Sequence, residues 1–291
     1  MQQSLATDLF LPLALGIIML GLGLSLTLDD FRRVAQYPKA MTVALVCQML
    51  LLPVVCFFLV KLFGLAPALA VGMMLLAASP GGATANLYSH LSNGDVALNI
   101  SLTAVNSVLS LFTLPLIVNF SLQHFMGSEQ YIPMQFSKVL EVFGIVLIPV
   151  LIGMFIRARF PRFAARMEKP VKLGSALILI ILIVSVVIRE NKLLTDYFAT
   201  LGVPVLLFNV LSLAVGYFVP RWLSIEKKQA IAIGMDIGIH NGTLAIYVAL
   251  SVLSNSAMSV PPAIYSLLMF FTAAVFGYLV KPRDAAPASV A

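Results

Sequence analysis

Asp236 is the residue whose type and setting most directly imply chemistry. It lies in an apolar run, 230–253, past Lys228 by enough chain to put it about 12 Å into a bilayer if the run is helical. A carboxylate at that depth is costly unless something compensates it, so it reads as an ion or proton site; the alternative is a structural residue paired with a neighbouring helix. No Lys or Arg falls near the middle of any apolar run, which leaves a bound cation as the natural counter-charge. His240 comes one helical turn later and shares the same face if the helix stays regular that far. It reads as a proton acceptor, a weak sodium ligand or a hydrogen-bonded packing residue.

Uncharged polar side chains gather in a second region: Ser79, Thr84 and Asn86, then Asn99, Ser101, Thr103, Asn106 and Ser107. The spacing of Asn99, Thr103 and Asn106 lines them up as a stripe on one helix face. Hard cations such as sodium take oxygen ligands, and hydroxyls, amide carbonyls and unwound backbone carbonyls supply them. The competing reading is interhelical hydrogen-bond glue. Gln48, alone in its apolar run, reads on its own as glue. Cys47 and Cys56 fall on roughly opposite helix faces and imply neither a disulfide nor a metal site. Asp236, His240 and Ser79 could be drawn as the triad of an intramembrane hydrolase, but an acid and a histidine four apart on one helix are poorly placed to relay to a serine.

The elements that must position these residues are membrane helices. Of 291 residues, 60% are apolar and 10% charged, against about 25% charged in an average soluble domain. Runs of about 20 apolar residues, enough to cross a hydrocarbon core about 30 Å thick, recur at 9–28, 41–60, 66–91, 96–119, 139–156, 171–188, 203–222, 230–253 and 261–280. The expectation is an all-α membrane protein of nine spans, a single integral-membrane domain over 1–291 with no soluble module. The first run lacks a basic leader and a cleavage site, so it reads as a retained span.

The net charge of +6 is informative through its distribution rather than as a sign of nucleic-acid binding. Arg32, Arg33, Lys39, Arg157, Arg159, Arg162, Arg166, Lys169, Lys172, Arg221, Lys227, Lys228, Lys281 and Arg283 fall on one side of the nine-span topology; only Lys61, Lys138, Arg189 and Lys192 fall on the other. Loops rich in Lys and Arg stay in the cytoplasm, which predicts an inner (plasma) membrane protein with its amino terminus outside and its carboxyl terminus inside.

Two spans are interrupted, the third at Ser79-Pro80-Gly81-Gly82 and the eighth at His240-Asn241-Gly242. Proline removes a donor and glycine weakens a helix, so backbone groups come free at mid-depth, where ions, substrate or water must satisfy them. An offset of 162 lays Ala68, Ala70, Val71, Gly72 and Met73 on Ala230, Ala232, Ile233, Gly234 and Met235, and Ser79-Pro80 on Asn241-Gly242. If spans 1–4 repeat as spans 6–9, the two halves are inverted, which is the plan of many secondary transporters. Chance likeness of two small-residue helices is the alternative.

The run Gly16-Ile17-Ile18-Met19-Leu20-Gly21-Leu22-Gly23-Leu24, the segment Ser79 to Asn86, the following Gly94-Asp95-Val96-Ala97-Leu98, and the stretch Gly234 to Leu244 resemble the bile acid:sodium symporter family, within the bile/arsenite/riboflavin transporter superfamily. The resemblance implies a panel domain (spans 9–28, 139–156 and 171–188) beside a core domain (41–119 and 203–280), with the broken helices crossing in the core. It also implies that this chain looks like the ten-helix bacterial form without its first helix. By resemblance, one sodium is held at Ala85 and Asn86, Asn99 and Thr103, and Asp236. A second is held at Gln48, Asp236, the carbonyls of Ile237 and Ile239, and His240. Ala85, Asn99, Asp236 and His240 stand where the family has serine, a hydroxyl, glutamate and glutamine. The implied coupling ion is sodium, with a proton at His240 replacing or modulating the second ion and no organic cofactor. The implied substrate is a small organic anion, met by the half-helix starts at Ala83, Thr84, Asn241, Gly242 and Thr243. Bile acids, pantothenate-like acids and 2-oxo acids all fit; a proton-coupled or efflux carrier is the alternative transporter. Beyond substrate and bilayer, no nucleic acid and no obligate protein partner is expected.

Overall fold

A computed structural model describes residues 5–127, 136–189 and 191–281. The charges counted for orientation are covered in part: Arg283 and the side chains of Lys169, Lys172, Arg189 and Lys192 lie outside the described residues.

Helices occupy every apolar run picked out in the sequence. In chain order they are α1 (Leu5–Ser25), α2 (Leu28–Arg32), α3 (Pro38–Val46), α4 (Leu52–Leu62), α5 (Pro67–Ala78), α6 (Ala85–Leu91), α7 (Val96–Met126), α8 (Phe136–Arg159), α9 (Pro161–Arg189), α10 (Asn191–Trp222), α11 (Lys227–Gly238), α12 (Gly242–Tyr247) and α13 (Val260–Val280). Among the described residues, five helices are long and apolar enough to cross a membrane, or six if the bent pair Leu11–Ser25 and Leu28–Ala35 is one span. The interrupted runs fall short because each is cut into pieces: twelve-residue α5 and α11 rise only about 18 Å apiece.

Local chemistry explains these boundaries. The first run was expected to reach residue 28, but α1 ends at Ser25 and the chain turns by 76° into α2. There the Asp30 carboxylate accepts from both the backbone N–H and the hydroxyl of Thr27, each at 2.7 Å, and so caps the new helix. Pro38 and Pro67 stand in the first turns of α3 and α5, where a missing N–H costs nothing. Pro53 has no N–H to offer the chain behind it, and the helix preceding it widens into a π-helical turn, Cys47–Leu51, that carries Gln48.

Packing divides the helices by their neighbours. α1 lies chiefly on α8 and α9, whereas α5, α7, α10, α11 and α13 pack among themselves. Small residues permit the closest approaches. A β-carbon on Gly153 of α8 would stand 2.6 Å from the Leu20 carbonyl of α1, and one on Gly216 of α10 would stand 2.8 Å from Cα of Gly234 on α11. The buried apolar set centres on α5 and on α11 to α13, so the interrupted helices lie at the middle of the protein.

Candidate functional site

The two breaks meet. Gly81 and His240 form an antiparallel bridge, in which Gly82 N–H donates to the Ile239 carbonyl at 2.6 Å and Asn241 N–H donates to the Pro80 carbonyl at 2.8 Å. Backbone groups that neither helix can use are thereby paired across the crossing, which answers the cost of leaving them bare in an apolar interior. Glycine is required at 81 because a β-carbon there would come within 2.7 Å of the Asp236 carboxyl carbon.

Asp236 is 2% exposed and accepts a 2.5 Å hydrogen bond from the Thr103 hydroxyl. That hydroxyl also lies 3.0 Å from the Asn99 carbonyl, and its one proton goes to the shorter, carboxylate contact. On the same face of α7, Asn99 donates its amide to the Ala232 carbonyl at 2.6 Å, which fixes the side chain and leaves Oδ1 with no partner. Oδ1 of Asn86, Oδ1 of Asn106 and Oε1 of Gln48 are likewise buried without partners. No ion pair among the described residues includes Asp236. A buried carboxylate among unpaired amide oxygens is the donor set of a hard monovalent or divalent cation. No group of three His, Cys, Asp or Glu comes together among the described residues. The Asp236 carboxylate, the Thr103 hydroxyl bonded to it and the unpartnered Asn99 oxygen are chemically suited to a hard cation such as sodium, and Asn86 and Gln48 hold further buried, unpartnered oxygens.

His240 is fully buried, with Nδ1 3.2 Å from the Ser79 carbonyl. The Gln48 amide donates to the same carbonyl at 2.9 Å. Nδ1 also lies 3.4 Å from the Gln48 amide nitrogen, so it donates to the Ser79 carbonyl in one tautomer and accepts from Gln48 in the other, while Nε2 has no partner. The Ser79 hydroxyl donates to the Leu76 carbonyl at 2.7 Å and makes no bond with the imidazole, so the hydrolase triad drawn from the sequence has no serine–histidine link. Ser101 and Ser107 also spend their hydroxyls on their own helix, bonding the Ala97 and Thr103 carbonyls. Of the polar stripe, Thr103 bonds Asp236, Asn99 bonds α11 at Ala232, and both amide atoms of Asn106 are buried without a partner.

The backbone positions are less open than expected. The Ile239 carbonyl already accepts from Gly82, and Oδ1 of Asn241 caps Leu244 N–H at 3.0 Å. Ala83 and Thr84 are half-buried beside the break, while Gly242 and Thr243 are buried. The sequence reading missed a supporting cluster behind α11. Asn209 and Tyr265 both donate to the Gly238 carbonyl, at 3.0 and 2.9 Å, and the Thr272 hydroxyl bonds Oδ1 of Asn209. The available signal was an asparagine in the middle of an apolar run.

These features define a class: a multi-pass, all-helical membrane protein in which the breaks of two interrupted helices meet beside a buried carboxylate. Residues 12–197 match the Sodium Bile acid symporter family, and the chain belongs to it. It is 28% identical over 266 residues to a rice protein named "Probable sodium/metabolite cotransporter BASS2, chloroplastic", an alignment covering 91% of this chain and 62% of that protein. It is 28% identical over 261 residues to the Arabidopsis thaliana "Probable sodium/metabolite cotransporter BASS1, chloroplastic", covering 87% and 62%. A Bacillus subtilis protein named "Uncharacterized sodium-dependent transporter YocS" is 28% identical over 261 residues, covering 89% and 78%. The chain thus spans less than two thirds of the length of the two plant relatives.

Proposed function

We propose that this chain is a sodium-coupled symporter of a small organic anion that works by alternating access. The observation that carries the reading is the buried Asp236 carboxylate, bonded to Thr103, in a protein whose Asn86, Asn99 and Asn106 amide oxygens are also buried and unpartnered. In this reading Asn86, Asn99, Thr103 and Asp236 hold one sodium ion. Gln48, His240 and the carbonyls of Ile237 and Ile239 serve a second cation, which a proton on His240 displaces. Relatives named as sodium/metabolite cotransporters and a sodium-dependent transporter support sodium as the coupling ion.

Nine spans in an inverted repeat complete the proposal, with α1, α8 and α9 as the panel and the remaining spans as the core. The amino terminus faces out of the plasma membrane and the carboxyl terminus lies in the cytoplasm. Sodium bound at Asp236 ties α7 to α11 below the crossing and holds the break segments in the shape that receives the anion near Ala83, Thr84, Asn241, Gly242 and Thr243. Each ligand must then tighten the other's binding by the same factor. A carboxylate such as a bile acid, a pantothenate-like acid or a 2-oxo acid is the substrate class.

The test is uptake of labelled acids from that class into liposomes holding the purified protein. A sodium gradient should drive saturable accumulation that Asp236→Asn abolishes. Accumulation driven by a proton gradient alone would replace this reading with the proton-coupled one.

A further inference from the structure

Away from the crossing, α10 and α13 splay to leave an open groove of about 630 Å³, lined along α10 by Leu213, Tyr217 and Phe218 and along α13 by Phe271, Val275 and Phe276. Its size falls within the ~300–1,000 Å³ of small-molecule sites. From Phe271 to Val280 the groove runs about 14 Å along the helix, the depth of one leaflet of a hydrocarbon core about 30 Å thick.

The two ends differ. The deep end closes at Thr272, whose hydroxyl is already bonded to Asn209. At the other end stands Lys227, half-buried in the groove wall at the start of α11. Lys227 takes part in none of the ion pairs among the described residues. Of the nearby acids, Glu226 is exposed, and the Asp95 side chain accepts from Leu98 N–H at 3.0 Å. Lys228 and Lys281, at neighbouring helix ends, are exposed and do not line the groove. Trp222 and Tyr278, at the last turns of α10 and α13, are 79% and 85% exposed, the placement of aromatic side chains at a membrane–water interface.

We propose that the groove between α10 and α13 is a binding site for an anionic phospholipid, with an acyl chain along Phe271, Val275 and Tyr217 and the phosphate at Lys227. A neutral lipid would fill the apolar part equally well, so the charge at the end of the groove is what selects. Basic pockets between helices at a membrane surface bind anionic headgroups for the same reason.

The test is native mass spectrometry of the full chain, purified in detergent and mixed with phosphatidylglycerol and phosphatidylcholine of identical chains. Wild type should retain phosphatidylglycerol about five-fold over phosphatidylcholine, the selectivity of one basic residue near the surface. Lys227→Gln should bring the ratio near one, and Val275→Trp, at a 60% exposed position, should lower retention of both lipids. If Val275→Trp fails to fold, Lys227→Gln alone decides. Equal retention by wild type, or a preference that survives Lys227→Gln, overturns the site. Full displacement by glycerol phosphate also overturns it, since a free-anion site needs no groove.

Discussion

The Thr103 hydroxyl lies 2.5 Å from Oδ1 of Asp236 and joins α7 to α11 beside Gly81, where the two breaks meet. A hydrogen bond to a charged group contributes about 1.5–3 kcal/mol. Thr103→Val keeps the shape and removes the donor and the oxygen ligand together. Its sodium affinity, read from stability as a function of sodium concentration, should fall about ten-fold or more. Thr103→Ser should stay close to wild type.

Gly81→Ala tests the crossing itself. Its β-carbon would stand 2.7 Å from the Asp236 carboxyl carbon and 2.9 Å from the Asp236 carbonyl. The carboxylate must move, at about 1–3 kcal/mol for an overpacked core. The variant should melt earlier than wild type and lose its sodium response. Gly174→Ala, with open space around it in α9, should be neutral or more stable by about 0.5–1 kcal/mol.

Much of this site was legible from residue types. Proline beside two glycines, and histidine before asparagine and glycine, announce the breaks, because those residues cannot hold a helix together. An acid without a nearby base marks Asp236 as the candidate cation ligand. Pairing across the crossing was not legible: nothing local in Gly82 or Ile239 says that their backbones bond each other. The self-bonded hydroxyls of Ser101 and Ser107 were also hidden, since a serine in a helix can turn outward or back on its own carbonyls. The bend after α1 had a local signal, Thr27 three residues before Asp30, that hydropathy overran.

Asn209 and Tyr265 converge on the Gly238 carbonyl, just past Asp236, and so act as positioning residues. Each deletion, Asn209→Leu or Tyr265→Phe, should cost about 1 kcal/mol, and the double variant should depart from additivity by about 0.5 kcal/mol or more because the two share one acceptor. Thermal or denaturant melts of the four proteins supply the cycle.

His240→Gln retains an amide donor for the Ser79 carbonyl, whereas His240→Ala leaves that carbonyl to Gln48 alone. The alanine variant should be less stable by about 1–3 kcal/mol and the glutamine variant close to wild type.

The proposed function rests on a cation site built on Asp236. Thermal stability of the detergent-purified protein, in sodium and in potassium at equal ionic strength, tests it most directly with wild type beside Asp236→Asn. A ligand that binds only the folded state raises the melting midpoint with its concentration. Sodium should raise the wild-type midpoint, potassium should not, and the substitution should remove the difference. Equal midpoints in the two salts, or a sodium effect that survives Asp236→Asn, would contradict it.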